Sequence, residues 1–584
     1  VDVDALVPPD HLLRKVERVM DYDWLYERLS PYYCADNGRP GTDPVVLIKM
    51  VLIQHLFGIS SLRQTYRDIQ VNVAYRWFLG YSLLEEIPHF ATVSYAFCKR
   101  FSPELSEEIF AHILNKALNN RMVDPSMIFI DGTHIKASAN KKKFQKEQVA
   151  KAAKVYEEQL RKEVSEEREK LGKKVNDDDD DENKGSSGGG TVEKTVSKTD
   201  PDCGMFVKGA HERQFAYEAH TACDKHGIVL GVEVTAGNVS DSVAWDAVYD
   251  QVTEKFSEVE FVTMDAGYKT PWIAKKVLEH SRIPILPYTR YKGKKDKFKP
   301  WDFTYDASTD SFTCPRGHEL RHTTTSKEGK RTYRSSPKIC KDCPCRTACG
   351  ANESGQRMLT THIWQEYLDL VEHLRKTERG KELYAMRKET IERVFADAKE
   401  KHAMRYTNHR GLARVSAWVR LKYAAMNLKK IAIWKWNASN FASYIMIFAL
   451  VKINRVRILY PIQAVFVSFL RGTPLLVQLM LTYYGIPLIL KAINQSYGTA
   501  FNINAIPAEL FAIVALAFNE AAYASETIRA AILSVDPGEI EAARSLGMTN
   551  RQVYRRIIIP NAAVVATPTL INSRSEEHTS ELQS

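Results

Sequence analysis

QFAYEAHTACDKHGIVLGVEVTAG, residues 214–237, holds two apolar strand patterns on either side of a turn at Asp224–Gly227, and this hairpin decides how the middle of the chain is read. Upstream, MIFID (127–131) is a short apolar strand ending on an acid. Downstream the elements alternate: a helix near 241–256, the strand EFVTMD (260–265), a helix at 271–280, the strand IPILP (283–287), and a strong helix from about 379 to 402. Early strands joined by hairpins and later ones by crossovers make an α/β order. The expectation is a mixed five-stranded sheet with helices on both faces, drawn from residues 121–290 and 379–436.

Around this sheet the chain reads differently. Residues 10–120 are helical: Pro44 opens PVVLIKMVLIQHLFG, Gly58 stops it, and Ser60 can cap SLRQTYRDIQ. A further run, NVAYRWFLG, mixes Arg with aromatics, so a packed bundle and contact with a polyanion are equally open. Residues 141–175 alternate Lys and Glu, then run into Asp177–Asp181, Glu182 and GSSGGG. That pattern predicts a solvated helix and a flexible linker, an insertion over 141–198. A second insertion, 291–378, is irregular, basic and cysteine-bearing.

The 584 residues argue for three or four domains. With 44% hydrophobic and 26% charged residues, wholesale disorder is excluded. A net charge of +10 permits a polyanionic partner without demanding one. The charge is uneven: residues 441–573 hold only ten Lys/Arg and six Asp/Glu. Nine cysteines are too few for a disulfide scaffold in so long a chain. The chain opens with no charged-then-apolar leader, so the first 440 residues are expected in the cytosol.

Asp131 and Asp265 end two strands, and residues at the carboxyl ends of adjacent strands converge on one crevice. Glu392 lies on the late helix with Lys399 seven residues on, and so on the same face. Three converging carboxylates need a cation to offset their repulsion. Oxygen-only ligands favour Mg²⁺ or Mn²⁺, and a two-ion site suits in-line attack on a phosphodiester.

The stretches DGTHIKASANK, TDPDCGMFVKG, FAYEAHTACDKHG, VEVTAGNVSDS, MDAGYKTPWIAKK and RKETIERVFADAKEKHAMRYTNHRGL resemble the ribonuclease-H-like DDE transposases of bacterial insertion sequences. The resemblance covers about residues 5–436. It implies an α/β ribonuclease-H-like catalytic domain over 121–436 and a helical N-terminal domain over 1–120 that binds double-stranded transposon-end DNA. It also implies that Asp131, Asp265 and Glu392 are the catalytic triad holding the metal, and that the enzyme works as a homo-oligomer on DNA. The family's signature is commonly Tyr, two residues, Arg, three residues, Glu, six residues, Lys. Tyr384, Arg387, Glu392 and Lys399 approach it, but four residues separate Arg387 from Glu392, while Lys388 has the three-residue spacing. Either basic residue is a candidate. Glu389 fits worse as the acid, because Lys does not follow it at the required place.

Cys340 and Cys343 have a zinc-knuckle gap, Cys349 follows, and Cys314 lies upstream in CPRGH. The candidate is a structural Zn²⁺ on Cys314, Cys340, Cys343 and Cys349, with Cys345 or His318 able to replace one ligand. The competing reading is reduced thiols packed in a small subdomain.

After Trp436 a different protein begins. GTPLLVQLMLTYYGIPLIL (472–490) is 19 residues without charge, long enough to span a bilayer. AIPAELFAIVALAFNEAAYAS (505–525) is a weaker candidate, holding Glu509 and Glu520. EAARSLGMTNRQVYRRIIIPNA (541–562) resembles the EAA loop of ABC-transporter permeases, and VSFLRGTPLLVQLMLTYYGIP the polar amino-acid branch. That resemblance implies a membrane-located permease fragment over 441–573, docking an ABC ATPase subunit through Glu541, Gly547 and Pro560. Ile559 stands where Leu is usual. No GxxxxGK[ST] occurs in the chain, so it carries no ATPase of that type. RSEEHTSELQS (574–584) resembles the translation of a common sequencing adapter and is expected to be an artefact. The function expected for 1–436 is DNA transposition; the alternative for the whole chain is a permease subunit.

Overall fold

The computed structural model describes residues 2–33, 41–150, 156–170, 191–208, 212–288, 297–352, 354–453, 459–497, 508–545 and 547–566. The chain divides into two compact units, Val1–Ile433 and Trp434–Ser584. The expected glycine-rich linker and the last eleven residues lie outside the described residues.

In the first unit the central strand is β1 (Met127–Lys136). Ile128, Phe129 and Ile130 are all fully buried, as a strand covered on both faces requires. On one side β1 pairs antiparallel with β2 (Glu212–Asp224), and β2 pairs with β3 (Val229–Ala236). On the other it pairs parallel with β4 (Phe261–Met264), which pairs parallel with β5 (Ile283–Ile285). The crossover helices are α1 (Asp241–Lys255) and α2 (Pro271–Glu279). The hairpin turn lies where expected: the Asp224 carboxylate accepts from the amides of His226 and Ile228, and Gly227 takes a positive φ.

Five strands were expected and six are present. The sixth, Gly204–Lys208, pairs with the first residues of β2, along the edge that β3 occupies further on. Its sequence, opening on Gly204 shortly after Pro201, reads as a loop; β2 is simply longer than its apolar core. The TDPDCG stretch anchors this corner. Asp200 accepts from the Tyr217 hydroxyl at 2.8 Å and from the Gly411 amide at 3.1 Å.

The helix expected over about 379–402 is two helices, Glu378–Met386 and α3 (Ile391–Glu400). Between them Thr390 leaves the helical region, with its hydroxyl donating to the Met386 carbonyl, a bond that competes with the regular ladder. Helix α4 (Leu412–Ile453) follows. Its Asn427 side chain satisfies both backbone groups of Val229, at 3.0 and 2.8 Å. Lys422, 1% exposed, donates to the His402 carbonyl and lies 4.6 Å from the Trp418 ring centroid.

Burial lowers the Lys422 ammonium to about 7. Between about 7 and its ordinary 10.5 the unfolded chain binds the proton that the folded chain does not, so this group's contribution to stability is lost as pH falls through that window. Lys422→Met should remove this dependence. Wild-type stability minus that of the variant should rise by about 1.4 kcal/mol per pH unit across the window, measured by urea unfolding of residues 1–436. Parallel curves would show that Lys422 stays charged when folded.

Among the N-terminal helices, Pro44–Leu56 is capped by Asp43, with Pro44 in its first turn, and is buried on nearly every side. This helix is bundle core. Ser61, one residue later than expected, caps Leu62–Val71 through the Gln64 amide. Both insertions are more ordered than their composition suggests. Residues Phe144–Ala150 form a strand paired with Thr191–Ser197 instead of starting a helix. Helix Glu157–Lys170 is docked, not solvated: Leu160 and Val164 are buried, and Glu163 accepts from Lys275 and from the Trp364 indole. Residues 304–362 hold a five-stranded antiparallel sheet around Phe303, Leu320, Tyr333 and Leu359, where an irregular, basic segment was expected.

In the second unit the helices include Leu459–Gly472, Ile486–Tyr497, Ala508–Leu533 and Pro537–Ser545. Among the described residues one stretch, Leu475–Ala492, is long and apolar enough to cross a membrane. Glu541 lies on Pro537–Ser545, Gly547 turns with φ +81°, and Pro560 follows the helical turn Tyr554–Ile558. Ala543, Val553, Ile558 and Ala562 pack together beneath them, so the segment is an amphipathic helical pair around a left-handed glycine.

Candidate active site

Asp131 lies at a lip in the sheet. The parallel pairing of β1 with β4 ends at Ile130↔Met264, while pairing with β2 continues to Lys136. Asp131 is thus not the end of β1, as expected, but the first residue past the end of its neighbour. Asp265 follows β4 directly and accepts from the Gly267 amide at 2.7 Å. Glu392 stands in the first turn of α3, with its side chain 50% exposed.

Arg387 links two of these acids. Its guanidinium donates to Asp131 and approaches Glu392 at 3.3 Å. Lys388 and Glu389 are exposed, so of the two basic candidates Arg387 is the one that meets the carboxylates. The break before α3 is what turns it inward. Lys399 is half-buried on the same helix. Burial pushes the Asp131 carboxyl up to about 7; Arg387 opposes that rise, and the neighbouring Asp265 and Asp241 add to it.

A second group adjoins the first and had no assigned role in the sequence. Glu218 and His220 are 4% and 0% exposed on β2, and Asp241 stands at the start of α1. Among the described residues these three form the one set of His, Cys, Asp or Glu donors whose atoms all lie within 4.8 Å of one another. The triad carboxylates do not close to that distance, and neither do the cysteine sulfurs. Burial raises the Glu218 carboxyl, and the neighbouring Asp241 adds to the rise. Burial and Asp265 raise Asp241 as well. His134 lies 3.3 Å from Glu218 and against the Phe206 ring. Burial lowers His220 to about 4, so its ring is neutral. The available signal was AYEAHTA, where two polar residues at a spacing of two interrupt an otherwise apolar strand.

The cysteines gather elsewhere. Cys314, Cys340, Cys343, Cys345, Cys349 and His318 line one cavity in the small antiparallel sheet, together with Arg316 and Arg357. The His318 amide and the Arg316 guanidinium donate to the sulfurs of Cys314 and Cys345, both at 3.4 Å. Burial raises the Cys349 thiol.

Residues 1–99 match a transposase domain family, 313–432 the transposase DDE domain, and 444–574 the binding-protein-dependent transport system inner membrane component. The chain joins transposase domains to a transport-system permease domain. The DDE match contains Arg387, Glu392, Lys399 and the cysteine cavity, whereas Asp131 and Asp265 precede it. That domain belongs to nucleic-acid-processing enzymes and implies both a ribonuclease-H-like fold and use of a divalent metal. For the last part, a probable amino-acid ABC transporter permease protein PatM from Vibrio harveyi is 39% identical over 152 residues, 26% of this chain and 62% of the relative. The L-cystine transport system permease protein TcyB of Bacillus subtilis is 41% identical over 128 residues, 22% of this chain and 49% of the relative. The chain therefore spans 49% to 62% of the length of these curated relatives. A crystal structure of an amino acid ABC transporter with histidines shares 37% identity, covering 24% of this chain and 62% of that one, with a TM-score of 0.19. The permease domain implies association with a membrane.

Proposed function

We propose that residues 1–436 form a DDE transposase that binds double-stranded DNA at the ends of an insertion sequence and catalyses their cleavage and strand transfer in the cytoplasm. One observation carries this reading: Arg387 ties Asp131 to Glu392 at a sheet lip that Asp265 adjoins, beside a matched DDE domain. The donor set fits the expected metal, since the triad offers only hard carboxylate oxygens and the Asp131 carboxyl is raised by burial, with Asp265 and Asp241 adding to the rise. Asp131, Asp265 and Glu392 would hold two Mg²⁺ or Mn²⁺ ions, which when bound activate the attacking oxygen and stabilise the leaving one. Arg387 keeps the carboxylates of β1 and α3 together, and the exposed Lys388 can reach DNA phosphates. Basic N-terminal helices hold the DNA ends, and a homo-oligomer brings two ends together. Supercoiled donor DNA carrying both ends, incubated with the protein and Mg²⁺, tests the activity; intact donor at every protein concentration would refute it.

The cysteine cavity fits a structural zinc ion, because thiols and an imidazole face one space and N–H groups already point at two sulfurs. Cys314, Cys340, Cys343 and Cys349 would hold it, with Cys345 or His318 as alternates. Purified 1–436 should contain about one zinc per chain, with its cysteine cluster slow to react with thiol reagents until a chelator is added. No zinc on elemental analysis, with all five thiols titrating at once, would favour plain packing.

A second reading applies to residues 441–573 alone, favoured by their permease relatives. It is a membrane permease subunit of a polar amino-acid ABC transporter, docking its ATPase through Glu541, Gly547 and Pro560.

A further inference from the structure

Glu218, His220 and Asp241 are not needed to describe the triad, yet they are the best-converged donor set among the described residues. The pleat separates the two groups. Asp131 is opposite Thr221 and Gly132 opposite His220, so Glu218 and His220 project from the face opposite that of Asp131. Asp241 connects them to the triad. One of its oxygens and one of Glu218 crowd the place a Cβ on Gly132 would take, at 3.2 and 2.7 Å. Its other oxygen and one of Asp265 crowd the corresponding place at Gly267, at 2.7 and 3.1 Å. A side chain at either glycine would fill the space between the carboxylates.

Of the two His220 ring nitrogens, Nδ1 is the one on the Asp241 side. The Thr235 hydroxyl lies 3.0 Å from His220 Nε2, within hydrogen-bond reach. With the ring proton on Nε2, the Nδ1 lone pair is directed toward the Asp241 carboxylate, 3.8 Å away, with the Tyr268 hydroxyl at 3.5 Å. Two electron-rich atoms facing each other in a buried site repel, and a cation between them reverses the sign of that interaction. Among the described residues no lysine or arginine is paired with Glu218, Asp241 or Asp265. Arg387 is taken up by Asp131 and Glu392.

We propose that Glu218, His220 Nδ1 and Asp241 form a separate divalent-cation site beside the triad, one with a nitrogen donor that selects Mn²⁺-type ions over Mg²⁺. Nitrogen ligands favour the transition metals, while Mg²⁺ keeps to oxygen. The Thr235 hydroxyl orients the imidazole, the usual task of a partner behind a metal-bound histidine. Three protein donors leave positions open for water, and Asp265 stands next to the site.

The test needs no DNA, so its outcome does not depend on the transposase reading. Metal-free full chain in neutral detergent is titrated with Mn²⁺, and free and bound ion are followed by electron paramagnetic resonance. Mn²⁺ is the probe because the thiols of the cysteine cavity favour softer ions. With a hundredfold excess of Mg²⁺ present to occupy the triad, one Mn²⁺ per chain should stay bound, with imidazole ¹⁴N coupling in the pulsed spectrum. Asp241→Asn and Glu218→Gln should each weaken it at least tenfold, whereas Asp131→Asn and Glu392→Gln should leave it in place. Both sets are near-isosteric, and unchanged circular dichroism would certify the fold. Bound Mn²⁺ without nitrogen coupling, Mn²⁺ lost only in the triad variants, or no tight Mn²⁺ at all would each overturn the proposal.

Discussion

Asp131→Asn, Asp265→Asn and Glu392→Gln should each abolish cleavage of donor DNA in Mg²⁺ while leaving binding of the DNA ends almost unchanged. Each substitution removes one unit of negative charge and hardly alters volume, so the sheet lip should keep its shape. The charge is what a hard divalent ion requires, and a two-ion site distributes its work over all three acids. A loss of at least about a thousandfold is expected, equivalent to roughly 4 kcal/mol of transition-state stabilisation. Arg387→Ala adds a control of opposite sign. Among the described residues it leaves the Asp131 and Glu392 carboxylates without a guanidinium partner, so it should impair positioning and be partly restored by raised Mg²⁺, unlike the three acid variants. End binding is read by gel shift and cleavage by conversion of supercoiled donor. A variant that cuts at the wild-type rate would remove its residue from the site. Loss of binding together with cleavage would mean that the substitution damaged the fold.

The parts of this site that could be read from sequence are those whose position follows from backbone pattern alone. MIFID and EFVTMD are short apolar runs between turn signals, and an acid after each is visible without knowing its neighbours. The register of β1 was not visible: whether Asp131 ends a strand depends on which partner is counted, β4 stopping at Met264 while β2 continues. Glu218, His220 and Asp241 were missed for a related reason. A polar pair in a buried strand has no meaning until the helix covering that face is known, and Asp241 arrives on it from α1. The break at Thr390 lacks the proline or glycine that usually announces one, so the inward turn of Arg387 was out of reach. The small sheet around the cysteines was unreadable because strands such as ELRHTTT and KRTYRS are largely polar, with only Leu320, Thr325, Tyr333 and Ser335 fully enclosed. The helix 157–170 looked solvated because just two of its residues, Leu160 and Val164, are buried apolar contacts.

Truncation after Asn437 should give a soluble protein that retains end cleavage, whereas the full chain should pellet with membranes or inclusion bodies. The cut follows the boundary between the two compact units, at Ile433 and Trp434. The core of the first unit includes Val415, Val419, Tyr423, Leu428 and Ile431 of α4, all of which the truncation retains. The second unit is different. The stretch Leu475–Ala492 is only 6% buried, and Leu476, Tyr484, Leu488 and Ile489 are each more than 60% exposed. So long an apolar surface must enter a bilayer or associate with another copy of itself. Bilayer insertion would tether a DNA enzyme to a membrane, and self-association would compete with the assembly on two DNA ends. Asp131, Asp265, Glu392, Arg387 and the cysteine cavity all lie before residue 437, so the cut gives up none of the residues proposed for catalysis. The expected readouts are a single monodisperse peak for 1–437 in detergent-free buffer and a cleavage rate within about twofold of the detergent-solubilised full chain, a difference below about 0.5 kcal/mol. A full chain that stays monodisperse without detergent, or a truncation that binds ends but no longer cuts them, would mean that the permease segment is a working part of the enzyme and not a separate protein attached to it.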